Sequence, residues 1–67
     1  MQNENTTESP LLAKISWVAS MLIVNKRTVQ RMVADHELPR PFKVGRSTRW
    51  YKRDIEQYLE QKAAERG

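Results

Sequence analysis

The sequence contains no cysteine, only two glycines and a single histidine, and each scarcity excludes a class of site. Without cysteine, neither a disulfide nor a thiolate-bound zinc ion can reinforce so small a fold. The two glycines, Gly45 and Gly67, cannot form a glycine-rich loop that cradles a phosphate. His36 lies between Asp35 and Glu37, but adjacent helical residues do not share a face. We therefore expect no metal site, no cofactor and no small-molecule ligand.

Long apolar runs are also missing. No run approaches the roughly 20 residues that span a bilayer, and the N-terminus has no apolar leader segment. We expect a soluble protein of the bacterial cytoplasm without a membrane partner. Residues 1–10 are polar after the initial methionine and are predicted to form a disordered arm. Residues 11–61 are predicted to form one domain, and residues 62–67 a frayed helical tail. No carboxylate pair suited to catalysis is recognisable, so we expect no enzymatic activity.

Positive charge is concentrated in the middle of the chain. Nine of the twelve Lys and Arg residues fall within residues 26–53, which hold only two acids and so carry +7. The rest of the chain sums to −3, giving the net charge of +4. This segregation favours a polyanionic partner, although charge alone says nothing about the fold.

The apolar spacing predicts two short helices in succession. Residues 15–22 carry an i, i+3, i+4, i+7 stripe, with Ser16 as a possible N-cap. Asn25 is a good N-cap for a second helix over residues 26–34, in which Val29, Met32 and Val33 point inward. Two helices joined by about three residues are typical of a helix-turn-helix.

A hairpin and a third helix are predicted after the second helix. Two prolines within Leu38–Pro41 end helical structure. Phe42–Val44 and Arg49–Tyr51 are predicted strands around a tip at residues 45–48, and a helix follows from Lys52 or Arg53. The predicted fold is mainly α with a small β-hairpin: a winged helix-turn-helix with a two-stranded wing and a C-terminal helix. The side chains expected in its core include Met21, Met32, Trp50 and Tyr51.

Four motifs carry a resemblance to a known family over roughly residues 11–60. They are Asn25-x-x-Thr28-Val29-x-Arg31, Leu38-Pro39, Val44-Gly45-Arg46 with Arg49-Trp50, and Asp54-Ile55-x-x-Tyr58-Leu59. Together they resemble the small winged-helix proteins of the AlpA and excisionase group, related to the DNA-binding domain of MerR regulators. The resemblance implies sequence-specific DNA binding in prophages and other integrated elements. Members of this group often bend DNA so that an integrase excises the element rather than inserting it, and some regulate transcription.

Two residues depart from the family's usual pattern. Ile23 stands where a turn glycine is common, and Trp17 stands where a charged residue is common. A β-branched side chain resists a positive φ angle, so we expect the turn between the helices to differ in detail. Trp17 could pack on the tail or face a partner.

The predicted DNA contacts fall on two elements. The second helix would enter the major groove, where Arg27 or Arg31 could bind guanine and Gln30 adenine. Arg46 at the wing tip could enter a narrow minor groove. The predicted recognition-helix contacts are Asn25, Lys26, Arg27, Thr28, Gln30 and Arg31. The predicted wing contacts are Lys43, Arg46, Ser47, Thr48 and Arg49. Thr28 could equally well serve only the first helical turn, and Arg49 could instead pair with an acid.

The leading interpretation is an excisionase that binds double-stranded DNA at adjacent sites, with an integrase as a possible partner and head-to-tail self-association as a possibility. The first alternative is an AlpA-like transcriptional regulator with no role in recombination. A second is an adapter that binds an acidic protein through its basic face. A third is single-strand or RNA binding through stacking on Trp50 and Tyr51.

Overall fold

The computed structural model describes residues 9–66, and residues 1–8 of the predicted arm lie outside the described residues. The elements in chain order are β1 (Leu12–Ala13), α1 (Ile15–Leu22), α2 (Lys26–Ala34), β2 (Phe42–Val44), β3 (Ser47–Tyr51) and α3 (Lys52–Glu65). Helices α1 and α2 have the predicted bounds, and α3 begins at the predicted Lys52. The fold is a winged helix-turn-helix, as the apolar spacing indicated.

The sheet has three antiparallel strands in the order β1-β3-β2, one more than the predicted hairpin. In the added pair, Leu12 lies opposite Tyr51 and Ala13 opposite Trp50. The Ser9 hydroxyl accepts a hydrogen bond from the backbone N–H of Leu12 at 3.0 Å, which orders the chain just before β1. The wing is therefore anchored to the rest of the domain by a strand that precedes α1.

The wing turn is shorter than predicted. Ser47 and Thr48, predicted at the tip, belong to β3 and pair with β2. The turn consists of Gly45 and Arg46 alone. Gly45 has a φ of +63° and Arg46 has a negative φ, the combination typical of a type II′ turn. This turn type matches the twist of the flanking strands, so pairing continues to the turn.

Trp50 is the largest side chain of the core, with 2% of its surface exposed. Its indole N–H donates a hydrogen bond to the carbonyl oxygen of Pro39 at 2.9 Å. That bond joins the segment after α2 to β3. Among residues 9–66, the buried side chains are all apolar: Ala13, Val18, Ala19, Val29, Leu38, Trp50 and Ile55.

Three local predictions are wrong. Tyr51 is 41% exposed, because alternation along β3 turns it away from Trp50. Met21 is 40% exposed, since it lies off the buried stripe of α1. Ser16 is not the N-cap, because α1 begins at Ile15 and Lys14 occupies the capping position. Met32 packs against the core as expected.

Trp17 is partly buried, whereas the C-terminal end of α3 is exposed. Trp17 is half-buried against the core, with the Lys52 ammonium 5.3 Å from a ring centroid. Helix α3 continues to Glu65, and the side chains of residues 60–66 are exposed. Within residues 9–66, no helix combines the length and apolar character needed to cross a bilayer.

Both helices of the helix-turn-helix end in the same backbone motif. After α1, the N–H of Ile23 donates to Ser20 and that of Val24 donates to Ala19. After α2, the N–H of His36 donates to the carbonyl oxygen of Val33 and that of Glu37 to the carbonyl oxygen of Met32. This is the Schellman arrangement, whose left-handed residue is usually glycine. Here the left-handed positions are held by Ile23 and His36, with φ of 58° and 61°.

Ile23 therefore adopts the conformation that its side chain disfavours, and the expectation of a different turn is wrong. The φ and ψ of 58° and 49° lie in the left-handed helical region. A β-branched side chain is a steric outlier there. Ile23 is also 89% exposed, so burial offsets little of the conformational cost.

We expect Ile23→Gly to raise the free energy of unfolding by about 0.5–1 kcal/mol. The substitution removes a left-handed penalty of about 1–2 kcal/mol, partly offset by the greater chain entropy of glycine. For a domain of this size the melting temperature should rise by about 2–8 °C. Circular dichroism melts provide the measurement. Ser20→Gly, at an exposed helical position, is the matched control and should lower stability by about 0.5 kcal/mol. A lower melting temperature for Ile23→Gly would contradict the assigned strain.

Candidate nucleic-acid interface

The start of α2 is held by its N-cap, as predicted. The side-chain Oδ1 of Asn25 accepts a hydrogen bond from the backbone N–H of Thr28 at 2.8 Å. Asn25 has an extended backbone conformation, which is the usual geometry of an N-cap. The cap defines where the helix begins and hence which side chains occupy its first turn.

Helix α2 separates cleanly into two faces. Val29 is fully buried, and Met32 and Val33 pack against the core, as the apolar spacing predicted. Thr28 is half-buried at the edge. The predicted contact residues on the opposite side are exposed: Lys26, Arg27, Gln30 and Arg31. Because the apolar stripe faces the core, the opposite side of α2 exposes three cations and one amide to solvent.

Helix α2 contains no acidic residue of its own, and the first acids after it are Asp35 and Glu37. Residues 15–34 contain no Asp or Glu. Within the described part of the chain, the ion pairs are Arg53 with Asp54 and Lys62 with Glu65, both on α3. No ion pair within residues 9–66 therefore compensates the charges of α2, which suits a surface that meets phosphate groups.

The wing residues divide between the two faces of the hairpin. Lys43 lies opposite Thr48 in the β2–β3 register, and its ammonium donates a hydrogen bond to the Thr48 hydroxyl at 3.0 Å. Alternation along β3 places Thr48 on the same face as buried Trp50. Lys43 therefore extends from the face of the sheet that packs on the helices.

Arg49 lies on the other face of the hairpin, together with Ser47 and Tyr51. Its guanidinium donates a hydrogen bond to the carbonyl oxygen of Thr48 at 2.7 Å. Arg49 thus bonds to a backbone carbonyl, whereas the alternative raised by the sequence was an ion pair with an acid. The five predicted wing contacts are therefore not one surface, since Lys43 and Thr48 point one way and Ser47 and Arg49 the other.

Other cations of the basic segment were not predicted as contacts. Arg40 is exposed in the linker before β2, between the two predicted DNA-binding elements. Arg40 stands between Pro39 and Pro41, and this position was the one sequence feature that could have indicated its exposure. Lys52 and Arg53 are stacked on aromatic rings instead, with Arg53 4.9 Å from the centroid of Tyr51. Arg46 is exposed in the wing turn, where the sequence placed it.

Other chemistries find little support in the described residues. A shallow cleft of about 320 Å³ lies between the loop after α2 and α3, lined in part by His36, Glu37 and Asp54. Within residues 9–66, no group of three or more His, Cys, Asp or Glu side chains is placed to hold a metal ion. Base stacking on Trp50 is incompatible with its burial and its bond to Pro39.

Comparison with known proteins agrees with this architecture. A family model described as a helix-turn-helix domain matches residues 15–63. The matched region runs from the first residue of α1 to the last turns of α3, and so includes both predicted contact elements. A search of curated proteins found no match.

We expect Asn25→Ala to lower the free energy of unfolding by about 1 kcal/mol, because the N–H of Thr28 loses its partner. Asn25→Ser keeps a capping oxygen and should retain most of that stability. Urea denaturation followed by circular dichroism gives both values. Equal destabilisation by the two variants would show that the Asn25 oxygen does not act as the cap.

Proposed function

The chain belongs to the helix-turn-helix domain family, and we propose that it is a sequence-specific double-stranded DNA-binding protein acting as an excisionase. The family includes small DNA-binding proteins of the AlpA and excisionase type. In this proposal the protein is a non-enzymatic component of a prophage or similar integrated element in a bacterial cytoplasm. It binds adjacent sites and bends the DNA so that an integrase excises the element.

The observation that carries the proposal is the presence of two separate cationic elements. One is the exposed face of α2 at Lys26, Arg27 and Arg31, and the other is the wing with Lys43 and Arg46. The linker after α2 separates them in sequence, and the Trp50–Pro39 hydrogen bond holds that linker against β3. A helix end and a hairpin turn, both cationic, match the two grooves of a duplex.

In the proposed complex, the first two turns of α2 lie in the major groove. Arginine donates two hydrogen bonds to guanine, and glutamine pairs with adenine through its amide. Arg27 or Arg31 therefore reads guanine, and Gln30 reads adenine. Asn25 and Thr28 are already engaged in the helix cap. Their remaining polar atoms and the helix N-terminus contact the phosphate backbone, which positions the helix without reading sequence.

The wing contributes through the adjacent minor groove. Arg46 enters the groove where it is narrow and its negative potential is enhanced. Lys43 and Thr48 share the face of the hairpin that packs on the helices, and there Lys43 binds phosphate. Ser47 and Arg49 lie on the opposite face and contact the backbone only if the wing penetrates deeply. Lys43 is therefore the stronger candidate of the two basic strand residues.

One domain of this kind buries only about 600–1,000 Å² of protein surface on DNA. Tight and specific binding then requires several copies on neighbouring sites, arranged head to tail. Successive copies that each contact two grooves impose a bend, because wrapping protein surface offsets the elastic cost of about 1–6 kcal/mol. The bend is the mechanical output that favours excision over integration.

We expect Arg27→Ala and Gln30→Ala each to cost about 1–3 kcal/mol of binding to the preferred site and to relax its sequence preference. The preferred site is first selected from randomised duplexes. Fluorescence anisotropy then compares that site with a scrambled duplex of the same length. Equal losses on both duplexes would rule out base recognition by α2.

Lys43→Ala is the matched control for these variants. It should weaken binding to both duplexes alike and reduce the salt dependence by about one unit. With about five phosphate contacts, the wild-type slope of log K against log[salt] should be near −4 to −5. A slope near zero would contradict the electrostatic basis of the proposed binding.

We expect the protein to stimulate excision when it is added to a cognate integrase and a DNA that carries paired attachment sites. The measurement is the yield of excised circle with and without the protein, with Arg27→Ala as the impaired control. Binding to promoter DNA with no effect on excision would identify the transcriptional regulator instead, since both roles use the same DNA contacts. Failure to bind any duplex at physiological salt would favour the alternative in which the chain is an adapter that binds an acidic protein through its basic face.

A further inference from the structure

Arg40 is an exposed cation that belongs to neither of the two cationic elements described above. It lies within residues 35–41, the segment that joins α2 to β2. Among residues 9–66, the ion pairs and the side-chain hydrogen bonds all involve other residues. The guanidinium of Arg40 therefore has no internal partner and is available to an external anion.

The backbone on both sides of Arg40 is restrained. Pro39 and Pro41 fix their own φ at about −65°, and Pro41 also biases Arg40 towards an extended conformation. Just before them, Leu38 is part of the buried core. The carbonyl oxygen of Pro39 accepts the hydrogen bond from the Trp50 indole at 2.9 Å. The position of the Arg40 backbone is therefore set by the core, although the residue itself lies in a linker.

The acidic and basic parts of this segment have different surroundings. His36, Glu37 and Pro39 line the shallow cleft against α3, together with Asp54 of that helix. Arg40 is not among the residues that line the cleft. In an extended segment, neighbouring side chains point to different sides, so Arg40 and Pro39 diverge. The cation is thereby separated from the two carboxylates of the cleft.

The proposed complex brings one strand of the DNA backbone close to this segment. Helix α2 lies in the major groove and the wing in the adjacent minor groove, and a single phosphodiester strand separates two adjacent grooves. The segment that joins the two elements passes from one groove to the other and so runs beside that strand. Contacts to such phosphate oxygens position a protein on DNA. A planar guanidinium suits them, because it donates two parallel hydrogen bonds to one phosphate.

We propose that Arg40 binds the phosphodiester strand between the two grooves and that the indole of Trp50 is its positioning residue. This inference rests on the proposed function and adds a third contact between the helix and the wing. The indole holds the carbonyl group of Pro39, and through it the backbone from which the guanidinium extends. A restrained backbone lowers the entropic cost of ordering a contact on binding.

The first test measures the salt dependence of binding for Arg40→Ala. Fluorescence anisotropy is recorded on the selected duplex and on the scrambled duplex over a range of salt concentrations. Loss of one phosphate contact should reduce the slope of log K against log[salt] by about 0.9, which is an eightfold loss of affinity for each tenfold decrease in salt. The loss should be equal on the two duplexes, because a phosphate contact reads no sequence.

Two variants serve as controls for the loss of charge. Arg66→Ala removes the same charge from the exposed end of α3 and should leave the slope unchanged. Arg40→Lys keeps the charge and should restore the slope of the wild type. A slope for Arg40→Ala equal to that of Arg66→Ala would overturn the proposed contact. A loss confined to the selected duplex would also overturn it, because Arg40 would then read a base.

The second test asks whether the restrained backbone acts through Arg40. Pro41→Ala frees the backbone of Arg40 and should weaken binding by about two- to fivefold, the range expected from added chain entropy. Trp50→Phe removes the indole N–H, keeps an aromatic ring in the core, and should weaken binding to a similar extent. In a chain that already carries Arg40→Ala, neither substitution should weaken binding further. Circular dichroism melts establish that each variant is folded at the temperature of the binding measurement.

A purely structural role for the indole gives a different result. Equal losses with and without Arg40 would assign Trp50 and Pro41 to folding alone and overturn the positioning role. If Trp50→Phe does not fold, the same comparison with Pro41→Ala decides whether the restraint acts through Arg40. Absence of wild-type binding to either duplex would reject the proposed function, and this inference with it. Wild-type binding with the expected slope, unchanged in Arg40→Ala, would reject this inference alone.

Discussion

The indole of Trp50 is the contact on which the arrangement of helices and wing depends. It is almost fully buried, it lies opposite Ala13 of β1, and it donates a hydrogen bond to Pro39. One side chain thereby connects the first strand, the linker after α2 and the last strand of the wing. The linker itself contains two prolines and so has few backbone donors. Together with the β1–β3 pairing, the indole holds the hairpin in a defined orientation beside α2.

The helices were predictable because their signals are local, whereas much of the sheet was not. The stripe of α1 and the Asn25 cap of α2 lie within a few residues of the helices that they define. Strand β1 has only two residues, too few for any alternation, and it becomes a strand only because β3 is present as a partner. Ser47 and Thr48 have the polarity of turn residues, and their strand conformation likewise depends on pairing with β2.

The same distinction applies to the candidate site. The exposed face of α2 follows from its buried stripe, so the sequence identified those residues correctly as a surface. The wing residues follow a register that the sequence did not reveal, and they divide between two faces of the hairpin. The cations also differ in their surroundings. Lys52 and Arg53 lie at the positive end of α3, where aromatic rings contact them. Among residues 9–66, no carboxylate forms an ion pair with the cations of α2.

In the part of the chain that the structure describes, the core contains no polar or charged side chain, and none of the eleven predicted DNA contacts is part of it. The residues that specify the fold are therefore distinct from those proposed to specify the target. Asn25 and Thr28 form the cap of α2 and are also proposed phosphate contacts, so they link folding to the positioning of the helix. If DNA is bound as proposed, substitutions at Arg27, Gln30 or Arg46 change recognition while leaving the packing untouched. A lineage built on this domain can acquire new target sequences one substitution at a time without passing through unfolded intermediates.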